Sequence, residues 1–329
     1  MSRRWWTWST NIAMNNLTVS PKKVKTAVVL LAHGAPLRIQ DIPRYLKNIR
    51  GGTNSSLEVI REVAGRYRQI GGRSPLLDIT TAQAEALEQF LNQGEDEFKV
   101  YVGMRTWSPT IQDAVNQALR DRPQRLVALC LAPHYSRWST ERYQQAFEEA
   151  LAGWKTKDLE IQFITRWPNQ PRLIDAFVER YRAAAGDLKA KGKKNVHTIF
   201  TVHSIPADSV AEYGDPYVEE YGKTLKGILQ QVDIPDWHQA YQSQGMIPVP
   251  WLAPSVEETL DKIADAGGKT VLIVPVGFVC DHIEILYDID IAFKQYAAER
   301  GIELYRTESL NTSPLFTEAL AAVVWEHLV

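Results

Sequence analysis

Residues 274–292 read VPVGFVCDHIEILYDIDIA. An apolar run ends there, a glycine and an aromatic follow, and Asp281, His282 and Glu284 open a predicted helix. Glu284 and Asp288 are spaced i, i+4, which on a helix puts both carboxylates on one face. Like charges at that spacing repel, so the pair points to a cation as its partner. Asp281 reads differently, as a helix N-cap favoured by the dipole. A second segment, 200–206, reads FTVHSIP and ends an apolar strand with His203. The stretch after it, 207–221, reads as a long polar loop with turn signals at Gly214 and Pro216, the kind of segment that builds binding sites. An imidazole facing a carboxylate suits acid–base hydrolysis or elimination, or transfer of a metal ion with exchange of protons. The two groups are moderately hard to borderline ligands, suited to Fe²⁺, Co²⁺ or Zn²⁺. The chain has no Walker A, GxGxxG or GxSxG pattern, so nucleotide binding and a serine nucleophile have no support.

These residues must be positioned by an alternation of strand and helix. Apolar, β-branched runs occur at 27–32, 98–102, 126–131, 161–165, 197–202 and 270–276. Amphipathic stretches lie between them at 55–70, 80–92, 108–120, 140–152 and 171–191. Strands apolar throughout and alternating with helices predict parallel sheets covered on both faces. The two halves echo each other: AVVLLAHGAP at 27–36 answers TIFTVHSIP at 198–206, and LVALCLAPHYS at 126–136 answers VLIVPVGFVCDHIE at 271–284. The predicted fold is therefore α/β, with two similar doubly wound (Rossmann-like) lobes whose parallel sheets face one cleft. His33, His134, His203 and His282 all follow strand ends and should meet near that cleft. The expected organisation is an N-terminal extension over 1–23, a first lobe over 24–160, a second over 161–312 and a C-terminal helix over 313–329. That last helix has Ser313 as its cap and Pro314 in its first turn, and is expected to pack on the first lobe.

Composition narrows the function classes. The 329 residues carry 37 Lys plus Arg against 39 Asp plus Glu, a net charge of −2 that argues against a nucleic-acid partner. The longest apolar run, 270–280, is too short to span a bilayer, so no transmembrane segment is expected. Two cysteines, Cys130 and Cys280, exclude a disulfide scaffold and a self-contained iron–sulfur cluster. Residues 1–20 hold two arginines and three tryptophans but no apolar secretory core. They read as a disordered extension, or as a sequence whose true start is Met14, more than as a membrane-surface anchor. A cytoplasmic, monomeric enzyme is the expectation.

Several segments resemble the signatures of ferrochelatases: VHSIP at 202–206, YGDPY at 213–217, YQS at 241–243 with PWLAP at 250–254, PVGFVCDHIEILY at 275–287, and GGRSP at 71–75. The resemblance spans about 28–324 and fits the two-lobed reading made from the strands. It implies insertion of Fe²⁺, as a substrate, into a porphyrin, with no permanently bound cofactor and no iron–sulfur cluster. It further implies that His203 is the family's active-site histidine and Glu284 its facing glutamate, which hold the metal or accept pyrrole protons. Asp288 matches the next acid on the metal-delivery face, and a further acid of some members falls at Ala292.

RYLKNIRGG at 44–52 and APHYSRWSTERY at 132–143 are similar to the bacterial branch that metallates coproporphyrin III, with protoporphyrin IX as the other candidate substrate. The porphyrin-contacting positions of that branch correspond to Arg50, Arg66, Tyr67, Ser74 and Tyr143. Arginines suit propionates because a guanidinium donates two parallel hydrogen bonds to a carboxylate. One position departs from the branch: His33 stands where many members place an axial tyrosine, and imidazole is itself an iron ligand. Two alternatives remain at this stage, a related chelatase for a sirohaem or corrin precursor and a non-catalytic tetrapyrrole or metal carrier.

Overall fold

The computed structural model describes residues 25–245 and 247–328, so the reading of 1–23 lies outside the described residues. The first sheet is built from β1 (Thr26–Ala32), β2 (Phe98–Met104), β3 (Arg125–Cys130) and β4 (Glu160–Ile164). Around it lie α1 (Ile42–Ile49), α2 (Leu57–Gln69), α3 (Leu76–Leu91), α4 (Ile111–Arg120) and α5 (Thr140–Leu151). After α6 (Pro171–Ala190) the second sheet takes β5 (Val196–His203), β6 (Trp237–Gln242), β7 (Thr270–Val274) and β8 (Glu303–Arg306). Its helices are α7 (Ala207–Ala211), α8 (Tyr217–Gln231), α9 (Val256–Asp265), α10 (Ile283–Leu286) and α11 (Lys294–Glu299), and α12 (Pro314–Glu326) closes the chain.

Both sheets are wholly parallel and share one topology. Their orders are β2-β1-β3-β4 and β6-β5-β7-β8, so the repeat seen in the sequence is a repeat of connectivity. In each, the strand order reverses between the first and third strands, where open α/β sheets leave a crevice at their carboxyl ends. β1 and β7 are buried along their whole length, as expected of central parallel strands. The edge strands β6 and β8 read WHQAYQ and ELYR and were not predicted, because an edge exposes one side and need not be apolar throughout.

Three expectations are corrected. β4 pairs with β3 in the first sheet, so the first lobe extends past residue 160 and the crossover between lobes is α6. The stretch 207–221 is not a loop: α7 and the start of α8 occupy it, and Gly214 (φ +63°) with Pro216 marks the break between two helices. Asp281 does not cap α10. The N-cap is His282, while the Asp281 carboxylate accepts Ser309 Oγ at 2.7 Å and Asn311 Nδ2 at 2.9 Å and faces Arg306 at 3.4 Å.

One apolar core runs through both lobes, from Val28 and Leu30 through Leu87 and Phe177 to Phe200, Tyr221 and Leu272. α12 lies inside it, against α3 and α6, with Phe316, Leu320 and Val324 fully buried. Burying such side chains contributes about 1.5–3 kcal/mol each. Ser313 caps that helix by accepting the Phe316 N–H, and Pro314 sits in its first turn. Polar ties reinforce the joint: buried Asp215 of the second lobe accepts Ser136 Oγ at 2.9 Å and the Arg137 N–H at 2.8 Å from the first. No helix among the described residues is long and apolar enough to cross a membrane.

Candidate functional site

The strand ends of both lobes open into one cleft, with about 320 Å³ of internal volume, within the range of small-molecule sites. His33 follows β1, His134 follows β3, His203 ends β5 and His282 follows β7, and all four line it. Two glycines let the loops close in. A Cβ on Gly277 would stand 2.8 Å from the Val202 Cα, so the loop after β7 can lie on β5 only without a side chain. Gly34 has φ +90° and lies equally close to Trp107.

On the second-lobe side, Glu284 sits between two imidazoles. Its Oε1 is 3.7 Å from His203 Nε2 and its Oε2 is 3.6 Å from His282 Nε2. His203 Nδ1 lies 2.5 Å from the Ser204 carbonyl oxygen, and His282 Nδ1 lies 3.0 Å from that of Cys280. A carbonyl only accepts, so both rings carry a proton on Nδ1. In their neutral forms both Nε2 lone pairs then face the Glu284 carboxylate, an arrangement that calls for a cation, either a proton or a metal ion. Burial alone would raise the Glu284 carboxyl, but the neighbouring His203 and His282, when protonated, bring it down to about 2, so it is ionised. His282 is raised: burial opposes its charge, and the adjoining Glu284 carboxylate outweighs that opposition.

Glu284 and Asp288 are not on one α-helical face. α10 ends at Leu286, a π-helical turn follows over Asp288–Phe293, and the Ala292 N–H reaches back five residues to the Tyr287 carbonyl. The Glu284 carbonyl accepts Gln242 Nε2 at 3.0 Å instead of serving a helix. Asp288 accepts Ser243 Oγ at 2.5 Å; burial and the Glu284 charge raise its carboxyl to about 6, against the pull of Ser243, Arg66 and His282.

On the first-lobe side, His33 Nδ1 lies 3.0 Å from Arg105 Nη2. Its ring meets Tyr45 edge-on, and its carbonyl accepts both the N–H and the Oγ1–H of Thr106. Burial and the Arg105 charge push the imidazole down to about 3. His134 is buried too, and its Nε2 donates to Thr224 Oγ1 at 2.8 Å, since that hydroxyl gives its own proton to the Pro168 carbonyl. It ties the lobes together and has no free lone pair at Nε2.

The cleft lining therefore gathers His33, Tyr143, His203 and Glu284 from the predicted set. The others stand outside it. Arg66 pairs with Glu62 and lies over the Tyr287 ring at 5.4 Å, beside the segment that carries Asp288. Arg50 is exposed and donates to Ser55 Oγ at 3.3 Å. Ser74 is buried and accepts the Leu76 N–H at the start of α3. Tyr67 is buried next to α1, with its hydroxyl unpaired. His282 lines the cleft as its strand-end position predicts, whereas the sequence pattern singled out neither Arg105, Tyr45 nor Tyr217. Arg105 follows β2 directly, so the strand-end signal applied to the other histidines would have found it.

A family model described as ferrochelatase matches residues 25–328. The ferrochelatase of Herpetosiphon aurantiacus is 40% identical over 301 residues, 91% of this chain and 98% of that protein. The ferrochelatase of Acidobacterium capsulatum is 43% identical over 318 residues, 92% of this chain and 95% of that one. The coproporphyrin III ferrochelatase of Geobacillus thermodenitrificans is 38% identical over 309 residues, 93% and 97% of the two chains. Among solved structures, the sirohydrochlorin chelatase SirB from Bacillus subtilis subspecies spizizenii, in complex with cobalt, is similar with a TM-score of 0.56 at 11% identity. That likeness covers 92% of this chain and 95% of the other and speaks to the fold alone. The chain belongs to the ferrochelatase family.

Proposed function

We propose that this member of the ferrochelatase family inserts Fe²⁺ into coproporphyrin III in preference to protoporphyrin IX, with His203 and Glu284 as its catalytic pair. The observation that carries the catalytic part is the carboxylate held between two imidazole Nε2 atoms at 3.6 and 3.7 Å. Metallation admits a dication and releases two pyrrole protons, so the site needs a fixed negative charge and a proton acceptor. The two needs fall to different groups. A carboxyl held down near 2 is a weak base, so Glu284 supplies charge to the metal. His203, with its lone pair on Nε2, accepts the protons, and His282 next to Glu284 takes part of that charge. Asp288 beside Glu284 extends the negative track along which iron arrives.

The choice of porphyrin rests on relatives described as coproporphyrin III ferrochelatases and on the arginines that the family resemblance assigns to propionates. Four propionates need more donors than two, and Arg66 and Arg50 are the cations suited to them. The likeness to SirB gives the sirohaem alternative no support beyond the fold, and a carrier has no use for a proton acceptor opposite a metal-facing acid. The test is an anaerobic assay of purified protein with Fe²⁺ and each porphyrin, followed by absorbance. A higher kcat/KM for coproporphyrin III supports the substrate reading. A preference for protoporphyrin IX overturns the substrate reading, and no turnover on either overturns the catalytic one.

A further inference from the structure

His33 and His203 end equivalent strands, but their rings are held in opposite senses. Arg105 and Thr106 pin the His33 loop. The Arg105 N–H donates to the Ala32 carbonyl at 2.9 Å, Thr106 donates twice to the His33 carbonyl, and Arg105 Nη2 donates to His33 Nδ1 at 3.0 Å. A guanidinium has donors and no acceptor, so the lone pair must be on Nδ1 and the ring proton on Nε2. That Nε2–H has no hydrogen-bond partner among the described residues, and it is not one of the buried polar atoms left unpaired. The ring lines the cleft, so Nε2–H is the polar atom it presents there. His203 is the reverse, with its proton given to the Ser204 carbonyl and its lone pair on Nε2. The two lobes thus offer one cleft an imidazole N–H and an imidazole lone pair.

Resting on the reading of the cleft as a porphyrin site, we propose that Arg105 is a positioning residue that fixes His33 as a hydrogen-bond donor to the unmetallated macrocycle and withholds it from iron. A free-base porphyrin carries two ring N–H groups and two bare ring nitrogens. A donor on one lobe and an acceptor on the other complement it. Once iron is bound, the four nitrogens have no free lone pairs, so the contact from His33 vanishes and the first lobe prefers substrate to product. Iron ligation through Nε2 would require His33 to move its proton to Nδ1, where Arg105 already donates.

The experiment uses the full chain labelled with ¹⁵N-histidine. The His33 signal is identified by its loss in His33→Ala, and its tautomer is read from long-range ¹H–¹⁵N correlations. An Nε2-protonated ring is expected, and an Nδ1-protonated one overturns the proposal. Ferric coproporphyrin III is then added directly. Wild type and His33→Ala should give the same spectrum, whereas Arg105→Leu should gain an imidazole-bound spectrum that disappears in the double variant with His33→Ala. An imidazole-bound wild-type spectrum lost in His33→Ala overturns the proposal. His33→Ala should weaken free-base coproporphyrin III roughly two- to tenfold, the usual worth of one hydrogen bond, without weakening the iron form. His33→Gln, which keeps an N–H donor, should recover part of that loss; equal weakening of both forms overturns the donor role. If Arg105→Leu does not fold, the wild-type tautomer and the His33 variants still decide. Failure of free-base porphyrin to bind wild type, with the tautomer as assigned, sinks the porphyrin reading and the donor role with it, while the Arg105 lock stands.

Discussion

His33 and His203 occupy the same station in two sheets of identical topology, and their chemistry diverges because of what their Nδ1 atoms touch. For His203 the neighbour is a backbone carbonyl one residue along the chain, which takes the ring proton and leaves Nε2 basic. For His33 it is the guanidinium of the residue that follows β2, which supplies a hydrogen and leaves Nε2 a donor. Burial adds to the contrast: the Arg105 side holds His33 neutral, whereas the second-lobe imidazoles share an ionised glutamate. A repeated fold can thus present a base from one lobe and an N–H from the other. The atom beside the far ring nitrogen decides which.

The largest expected effect would break this comparison if it failed. His203→Ala and Glu284→Gln should each slow iron insertion by about 10²–10⁴-fold while free-base porphyrin still binds, whereas His33→Ala should cost far less turnover. Steady-state rates with limiting porphyrin check it, and equal losses at the two histidines would erase the distinction drawn between the lobes.

A smaller effect concerns how charge is graded along the second lobe. The Asp288 carboxyl is raised to about 6 by burial and by Glu284, so at pH 5 it is mostly protonated and at pH 7 mostly ionised. At limiting Fe²⁺ the rate should rise over that window by up to about tenfold, following the ionised fraction of one group. Asp288→Asn should flatten the rise. The sign for stability is opposite: a raised folded value favours the protonated form, so the contribution is present at low pH and is lost as pH climbs through about 6. Asp288→Asn should therefore melt higher than wild type at pH 7. A lower melting temperature, or an unchanged pH limb, would remove Asp288 from the iron track.

The smallest effect sharpens the first lobe's share in substrate choice. The Arg50 side chain is exposed and donates to Ser55 Oγ, so solvent screens what it offers a propionate. Arg50→Ala should raise KM for coproporphyrin III about two- to fivefold and that for protoporphyrin IX less. Matched changes on the two substrates would leave Arg50 a surface charge with no part in selection.

By itself the sequence determined the central strands, because β1, β3 and β7 are buried along nearly their whole length, β5 is buried over its middle, and such strands are rich in apolar residues. It also determined the histidines at their carboxyl ends, the DHIEILYD stretch, the cap of α12 and the family. It did not reveal the polar edge strands, the membership of β4, or the helices hidden in 207–221. Their residues face solvent on one side, and only pairing or packing partners distinguish them from loop. It paired Glu284 with Asp288 on a helix that the π-helical turn breaks. It did not show that the Ser74 hydroxyl is buried and accepts an N–H of α3. Above all, the proton positions on His33 and His203 belong to the tertiary structure. Arg105 lies 72 residues from His33, and only the pairing of β1 with β2 brings its guanidinium to 3.0 Å. Hydrophobic pattern records which atoms leave water; which ring nitrogen keeps its proton depends on the atom that arrives beside it.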